Sequence, residues 1–595
     1  ALVREAARRG LLATIYRPSL ISGDSRTGSF NRDDLLSLMI KGAVEMGVAP
    51  DLDWTLDCQP VDVVSRQILQ LSAQPGRLFH LVHDRPRHWR ECLLWMRLAG
   101  YQVRLLAYPE WLRVLDEHTR PGAPGSPTLR PLRAFFLERL TSAEGLTRPE
   151  LYEESRRTTA VAQRTTALLH SRSAETPPLD AALLDRYFDA FANSGHLSAP
   201  ARPRKQYAAR VFDESFFSGV LHACELNGEV TRAELLGSGS EHSIISELTA
   251  WRTGCAAGLL RYRLHFAAGT VRNVVVKVKA SDKEAIAVGA ALATLCGERI
   301  GAAYERWQDR VGLAASHLRE PAIYAMQDPR FVRHMPAMLG CSIDPDSDAR
   351  TLVLEQIDRP ILMNSVMRPW MWTPRHLNLA IDGLAALQSA WYGHTETLLE
   401  QPWIGWVASS SAMAEMTDLW EALAEQAGPL LERWAGADAV RRHRHAIDSI
   451  EQWWPLLERT PRSLIHHDFN PRNLCFRRHA GELRLCAYDW ELATVGAPQR
   501  DLAELICFVL TRRATDAEID GVIERHRAAL EREAGVSIGA AGWRRGFHAA
   551  LRDLLVNRLA MYALINRVKR QDYLPRVLST WRRLDDHLSA HGGLA

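Results

Sequence analysis

No two of the nine cysteines stand in C-x-x-C spacing; they are scattered at 58, 92, 224, 255, 296, 341, 475, 486 and 507. That pattern argues against a zinc site and against a disulfide framework, and it fits reduced, mostly buried thiols in a cytoplasmic protein. No apolar run reaches the roughly 20 residues needed to cross a bilayer, and the N-terminus lacks a signal-peptide layout. Net charge is small, +3 over 595 residues, which gives no support for a nucleic-acid or anionic-membrane partner. The cluster Arg441-Arg442-His443-Arg444 is expected to be a solvated helix face. Internal repeats and long low-complexity tracts are missing. So is an initiator Met, and Ala1–Gly10 looks like the end of a helix that began earlier, so the chain is expected to start inside a domain.

The composition is that of a globular protein, 47% hydrophobic and 24% charged. At this length two to four domains are expected. Residues 1–85 alternate strand and helix. Leu11–Tyr16 reads as a strand, and a helix follows over 33–46 with Asn31 or Asp33 as its cap. A second helix opens at Pro60–Arg66, and Leu78–Val82 is a short strand, giving a parallel α/β layer. The run Tyr16-Arg17-Pro18…Gly23…Thr27-Gly28, then Pro50-Asp51-Leu52-Asp53 and Pro60-Val61-Asp62, resembles the C-terminal half of a thioester reductase domain, an extended short-chain dehydrogenase. The likeness continues through Gly100-Tyr101…Tyr108-Pro-Glu-Trp111 and Tyr187…Gly195-His-Leu-Ser-Ala-Pro200, similar to that family's helical substrate cap. It implies an acyl carrier protein as partner, and a nicotinamide or acyl pocket lined by residues 17–31. A dinucleotide site needs a glycine-rich turn after its first strand, and residues 1–85 have none. NADPH is therefore expected only if the reductase domain were complete, and redox activity is not expected of this chain.

Pro121–Pro127 is a breaker cluster within the cap region, and 201–213 reads as a basic linker. Beyond it the pattern changes. Phe216–Asn227 is expected to be helical. Ala233–Thr249 reads as strand, Gly/Ser turn, strand, with the turn at Gly237-Ser238-Gly239-Ser240. Main-chain N–H groups of such a turn can lie over phosphates, although turns of this kind commonly just join a hairpin. Leu259–Phe266 alternates as a half-buried strand should, and Asn273–Lys279 is the next. Lys277 and Lys279 share parity and leave the same face. Helices follow at 282–303 and 315–326, then an apolar strand at Thr351–Ile357. The rest is helical except for one hairpin. There Ser463-Leu-Ile-His466-His467-Asp468-Phe-Asn-Pro-Arg-Asn473 is answered by Leu485-Cys-Ala-Tyr-Asp489-Trp490-Glu491.

Asp468 and Asn473 stand at the D-x-x-x-x-N spacing of a kinase catalytic loop, in which Asp accepts the hydroxyl proton and Asn holds a metal ion. Taken alone, Asp468 can cap a turn and Asp489 can be an ion-pair partner. The order of Gly/Ser turn, strand Lys, helix Glu, strand Glu, H-x-D-x-x-x-x-N and second Asp carries more weight than any one part. Residues 214–595 resemble the aminoglycoside phosphotransferase and choline kinase-like family within the protein-kinase-like fold. Ala385–Trp391 looks like the family's helix under the catalytic loop, with Gln388 where members commonly have His. Leu318–Tyr324 looks like the helix that carries the partner of the lysine.

The resemblance implies a set of roles. Asp468 is the base or hydroxyl-orienting group. Asn473 and Asp489 hold Mg²⁺. Gly237, Gly239 and Lys277 (with Lys279 as rival) meet the ATP phosphates, and Glu320 holds Lys277, with Glu284 and Glu298 as rivals. Glu355-Gln356-Ile357 is the hinge facing adenine, and His466 and Asp501 support the loop.

The expected architecture is multidomain. A Rossmann-like part (1–85) with a helical cap (86–200) and linker (201–213) precedes a bilobal α+β kinase-like domain (214–357 and 358–595). The leading reading is an ATP-dependent phosphotransferase acting on a hydroxyl of a small molecule. The alternatives are a reductase-linked tailoring protein of peptide synthetase or carboxylic acid reductase type pathways, and a nucleotide-binding pseudokinase. Acceptor specificity is expected in the tryptophan-rich helices at 360–455, whose tryptophans are read as core rather than as a ligand platform. Glu396, Glu400 and Glu415 are too scattered to form an acidic pocket for a polycation.

Overall fold

A computed structural model describes residues 2–73, 77–123, 127–141, 145–153, 162–170, 176–200, 212–222, 229–238, 244–254, 257–479, 481–591 and 594. The chain divides into two units, Ala1–Lys205 with Thr294–Glu298, and Gln206–Ala293 with Arg299–Ala595.

In the first unit three strand pairs are parallel, as βα alternation requires, and two short pairs, Thr55–Leu56 with Arg87–His88 and Arg139–Leu140 with Leu146–Thr147, are antiparallel. Ile15–Pro18 pairs with Leu78–Leu81, Leu20–Ser22 with Cys58–Pro60, and Val48–Asp51 with Arg104–Ala107. The first strand starts at Ile15 rather than Leu11, because Leu11 and Leu12 lie exposed in an irregular lead. Helix Leu35–Met46 is capped by Asp34, whose carboxylate accepts from the Ser37 N–H at 2.9 Å. Neither Asn31 nor Asp33 does this; Asn31 Oδ1 instead accepts from the Asp33 N–H in a local turn. Helices Val61–Leu71, Trp89–Leu98, Tyr108–Thr119 and Ala181–Asn193 complete the unit.

The second unit opens with a five-stranded antiparallel sheet. Its spatial order is Val230–Ser238, Gly258–Phe266, Val271–Lys279, Arg350–Glu355, Met338–Ile343. Along the middle strand Val274, Val276 and Val278 face a core with Phe217, Leu221, Tyr262 and Leu264. Lys277 and Lys279 take the opposite face, as period 2 demands. Two elements differ from the sequence reading. Ile244–Thr253 is a helix rather than a second strand, and its buried Ile244 and Leu248 stand at helical spacing. The edge strand Met338–Ile343 is an added element. Its Gly340 breaks the alternation, and a Cβ there would lie 2.3 Å from Val220 of helix Glu214–His222, so glycine permits that close packing. The expected helix end 223–227 and the linker segment 201–211 lie outside the described residues.

The remainder is helical. Helix Gln499–Val509 is buried along every residue. Its second half is Leu-Ile-Cys-Phe-Val, and its polar residues crowd into the first turns. Pro374–Ser389, Thr417–Ala435, Asp516–Ala534, Ala540–Asp553, Ala560–Val568 and Leu574–Ala590 are the other main helices of this half. The cluster at 441–444 is not simply a solvated face. Arg442 pairs with Asp438, Asp585 and Asp586, and His443 is buried. Among the described residues no helix is long and apolar enough to cross a membrane.

Burial holds two histidines of this unit neutral, with His443 pushed down to about 4 and His526 to about 3. On unfolding both return toward 6.5. Between that value and about pH 4 the unfolded chain then binds more protons, so stability falls as the pH falls. Each ring contributes a slope of up to about 1.4 kcal/mol per pH unit. His526→Gln is expected to flatten the pH dependence of the urea midpoint in that window. An unchanged slope contradicts the assignment.

Candidate active site

The catalytic-loop motif hangs between two short strands. Ser463–Ile465 pairs with Thr494–Gly496, and Leu474–His479 forms a hairpin with Glu482–Ala487. The intervening loop needs a left-handed residue, and His467 takes it at φ 62°, a conformation of measurable cost for a non-glycine residue. Two buried bonds hold it there. The Asp501 carboxylate accepts the His466 N–H and the His467 N–H, each at 2.8 Å. Gln388 Nε2 donates to the same carboxylate at 3.2 Å and to the Pro498 carbonyl at 3.1 Å, while Gln388 Oε1 meets His526 Nε2 at 2.9 Å. Burial raises the pKa of Asp501, and the two backbone N–H groups oppose that rise. His466 Nε2 meets the Tyr488 carbonyl at 3.0 Å, and its ring tilts over Trp490 at 4.5 Å.

Asp468 is heavily bonded. Its Oδ1 accepts from Tyr562 OH at 2.5 Å, Asn470 Nδ2 at 3.0 Å and Arg472 Nη2 at 3.1 Å. Burial disfavours the carboxylate, but Arg472, Arg558 and the tyrosine hydroxyl outweigh it and hold Asp468 well below the usual carboxylate range. It stays ionised at neutral pH, which suits orienting a hydroxyl and taking its proton late. Asn473 Nδ2 donates to the Asp468 carbonyl at 3.0 Å and to its Oδ2 at 2.6 Å. This fixes the amide so that its Oδ1, which accepts no hydrogen bond among the described residues, is left for another partner.

Asp489 follows the hairpin in a left-handed conformation, φ 67°, with its N–H on Tyr324 OH at 3.3 Å. Lys277 Nζ lies 2.6 Å from Asp489 Oδ1 and 2.7 Å from Glu320. Burial works against the Lys277 ammonium, but Asp489 and Glu320 prevail and raise its pKa. Asp489 is likewise lowered against burial, by Lys277 and then Lys279. Lys279 pairs with Glu491 and stands 3.8 Å from Glu320. Burial and the adjacent Lys277 push Lys279 down to about 8. Of the three candidate glutamates only Glu320 meets Lys277; Glu284 pairs with Arg252 at 2.9 Å, and Glu298 is exposed.

Strand, helix, loop and hairpin thus bring Lys277, Glu320, Asp468, Asn473 and Asp489 together. Other expected residues sit apart from this cluster. Gly237 stands one residue before the end of its strand at φ 147°, a conformation that glycine adopts without steric cost, and Gly239 lies outside the described residues. The Glu355 side chain pairs with Arg477 and accepts the Ala337 N–H at 3.0 Å, so it ties strand to hairpin. Gln356 Oε1 is buried without a hydrogen-bond partner among the described residues. Sequence reasoning missed Tyr562 and Arg472. Arg472 stands inside the motif, four residues after Asp468, where its ion pair was readable. Tyr562 is 94 residues away and gave no signal. Trp420 and Trp372 are core as expected, whereas Trp370 is 75% exposed.

In the first unit, Pro18, Ser19 and Leu20 line a cavity of about 370 Å³ with Met39, Trp54 and Tyr152. Three of the expected pocket residues therefore face an apolar space.

Comparison with known proteins finds two separate family matches. Residues 1–68 match the family described as Male sterility protein, an NAD-binding family, and residues 372–536 match the Phosphotransferase enzyme family. A linear gramicidin synthase of Brevibacillus parabrevis is 27% identical over 206 residues, which are 34% of this chain and 4% of that protein's length. The terminal R domain from the myxalamid PKS-NRPS biosynthetic pathway is 36% identical, covering 33% of this chain and 48% of that domain, with a TM-score of 0.29. The GDP complex of wild-type aminoglycoside 2'-phosphotransferase-IIIa is 13% identical, covering 63% of this chain and 99% of that one, with a TM-score of 0.33. The chain spans only a small part of the length of the curated relatives it matches. It joins a partial, Rossmann-like reductase region to a C-terminal bilobal α+β phosphotransferase-type fold.

Asp501→Ala leaves two buried N–H donors and the Gln388 amide without their acceptor. The expected loss is about 2–5 kcal/mol of stability by urea denaturation. A loss below about 0.5 kcal/mol contradicts the role given to Asp501.

Proposed function

We propose that the C-terminal unit transfers the γ-phosphoryl group of ATP to a hydroxyl of a small molecule. One observation carries this reading. Lys277, Glu320, Asn473, Asp468 and Asp489 converge from separate elements, with Lys277 within 2.7 Å of two carboxylates. Glu320 is fully buried and fixes the ammonium, and Asp489 shares it.

The residues fit a hard cation. Asn473 Oδ1 and the Asp489 carboxylate are oxygen donors of the kind Mg²⁺ takes alongside phosphate oxygens. Lys277 already holds positive charge against Asp489. Mg²⁺, when bound, neutralises phosphate charge. This chain's residues do the rest. Lys277 meets phosphate oxygens while Glu320 keeps it in place. The main chain of Glu355-Gln356-Ile357 faces the adenine. Asp468 orients the acceptor hydroxyl and receives its proton as the phosphorus–oxygen bond forms. Tyr562, Arg472 and Asn470 hold Asp468 in one orientation. Because the transition state is loose, such positioning and charge placement carry the catalysis.

A second reading concerns the first unit. The apolar cavity at Pro18, Ser19 and Leu20 favours recognition of an acyl group, and with it an acyl carrier protein as partner. Residues 1–85 hold no glycine-rich strand-to-helix turn, so no hydride step is assigned to them.

Asp489→Ala is expected to abolish ATP turnover across a panel of hydroxyl metabolites with labelled ATP, with the melting temperature within a few degrees of the parent. Undiminished turnover sinks the phosphotransferase reading. For the second reading, calorimetric titration of the full chain with an acylated carrier protein is expected to show saturable binding, and none at millimolar carrier counts against it.

A further inference from the structure

Beside the catalytic loop lies a recess of about 100 Å³ whose wall includes His467, the residue preceding Asp468. Five arginines line it (Arg310, Arg319, Arg462, Arg500 and Arg558), against one carboxylate, Asp553. Two of the five are neutralised by acids. Arg310 pairs with Glu415 at 3.0 Å, and Arg500 with Glu504 at 3.0 Å and Asp553 at 3.2 Å. Among the described residues Arg319, Arg462 and Arg558 make no ion pair within 4.0 Å, and the Arg558 charge also acts on Asp468 and Glu504. Arg319 bonds only carbonyl oxygens, and Arg558 Nη2 donates to the His467 carbonyl at 2.7 Å.

The acid in the wall has nothing left to offer a cation. Asp553 Oδ1 accepts from Trp454 Nε1 at 3.1 Å and Asn557 Nδ2 at 2.9 Å, and Oδ2 accepts from Arg500 Nε. Donors, by contrast, are in surplus. Arg500 Nη2, Arg558 Nε and Thr494 Oγ1 are buried with no hydrogen-bond partner among the described residues, and Arg500 is only 3% exposed. Each buried donor without an acceptor costs on the order of 1–3 kcal/mol, and all three belong to residues that line the recess. The positive field is felt by the nearest titratable ring. Burial, then Arg500 and Arg558, hold His467 well below its ordinary value. Trp406, Trp420 and Trp454 supply an apolar flank.

We propose that this recess takes the carboxylate of the phosphoryl acceptor, and that the acceptor is a hydroxy acid with an apolar or aromatic body. The proposal rests on the phosphotransferase reading for the position of the hydroxyl, at Asp468. A planar carboxylate matches guanidinium donors edge to edge. The space is smaller than the ~150 Å³ cavity that accommodates benzene, so it receives one end of the acceptor. The acceptor O–H loses its proton to Asp468 and then to solvent. Its oxygen bonds to the γ-phosphorus, and the bond from that phosphorus to the bridging oxygen breaks, releasing ADP. The carboxylate is unchanged.

The test uses the full chain with Mg²⁺ and a non-hydrolysable ATP analogue. Calorimetry compares 4-(hydroxymethyl)benzoate with its carboxamide, its aminomethyl counterpart and 4-(hydroxymethyl)phenyl phosphate, and transfer from labelled ATP is followed in parallel. The benzoate is expected to bind at least ~10-fold more tightly than the amide and the amine. Arg462→Met is expected to remove that preference, with the acid's affinity falling at least ~10-fold toward that of the amide. Equal binding of acid and amide, tighter binding of the amine, a preference retained in Arg462→Met, or no saturable binding of the acid at millimolar concentration each overturns the proposal. Tighter binding of the phosphate overturns the choice of carboxylate. Preferential binding of the acid with no transfer to any compound leaves the subsite standing and sinks the phosphotransferase reading. Transfer with no preference among the compounds does the reverse.

Discussion

The buried carboxylate of Asp501 is the constraint on which the rest of the site depends. Burying an acid is costly unless its oxygens are bonded, and here two consecutive backbone N–H groups and an amide meet it. The return is conformational. His467 is held at positive φ, the loop turns sharply, and Asp468 and Asn473 emerge on the far side. The helix that carries Asp501 is buried on all sides and cannot shift without disturbing the helices packed around it. Its first two turns are therefore a polar platform embedded in an apolar bundle. Arg500 and Glu504 belong to that platform, with Glu504 accepting from Asn470 and Arg500 bonded to Asp553.

Charge is arranged around the loop in two groups. On one side Lys277 and Lys279 face Glu320, Asp489 and Glu491, two cations against three acids. Elsewhere around the loop five arginines line the recess beside Thr494 and His467, with Asp553 as the carboxylate in its wall. Asp468 is kept ionised by Arg472 and Arg558 and kept in one orientation by Tyr562. An acceptor anion and a nucleotide polyanion would thus each be met by cations.

Much of the ladder from strand to hairpin was legible because it follows short periods. Lys277 and Lys279 share parity, Asp468 and Asn473 share a loop, and Asp489 follows a strand by two residues. Such placements need only local rules. Which glutamate meets Lys277 was not legible, since Glu284, Glu298 and Glu320 are all helical, and only tertiary packing brings one of them to the lysine. Tyr562 and Arg558 reach the loop from a helical stretch 94 and 91 residues on from their partners, and no local signal marks them. The helix at Ile244 was not legible because the Gly/Ser run before it has the composition of a hairpin turn, and two apolar residues four apart are too few to set a helical period against it. The strand at Met338 was missed because Gly340 interrupts its alternation. In the first unit the parallel pairing was legible from βα alternation, while the cavity at Pro18–Leu20 depends on Trp54 and Tyr152, which nothing local connects to it.

In the proposed reaction the Lys277–Asp489 contact opens to admit phosphates and Mg²⁺. A crystal structure of the full chain with Mg²⁺ and a non-hydrolysable ATP analogue tests it most directly. The account predicts the Asp489 carboxylate and Asn473 Oδ1 at about 2.1 Å from the metal, with Lys277 Nζ moved onto a phosphate oxygen and still bonded to Glu320. A nucleotide bound elsewhere, with the Lys277–Asp489 contact intact, would contradict it.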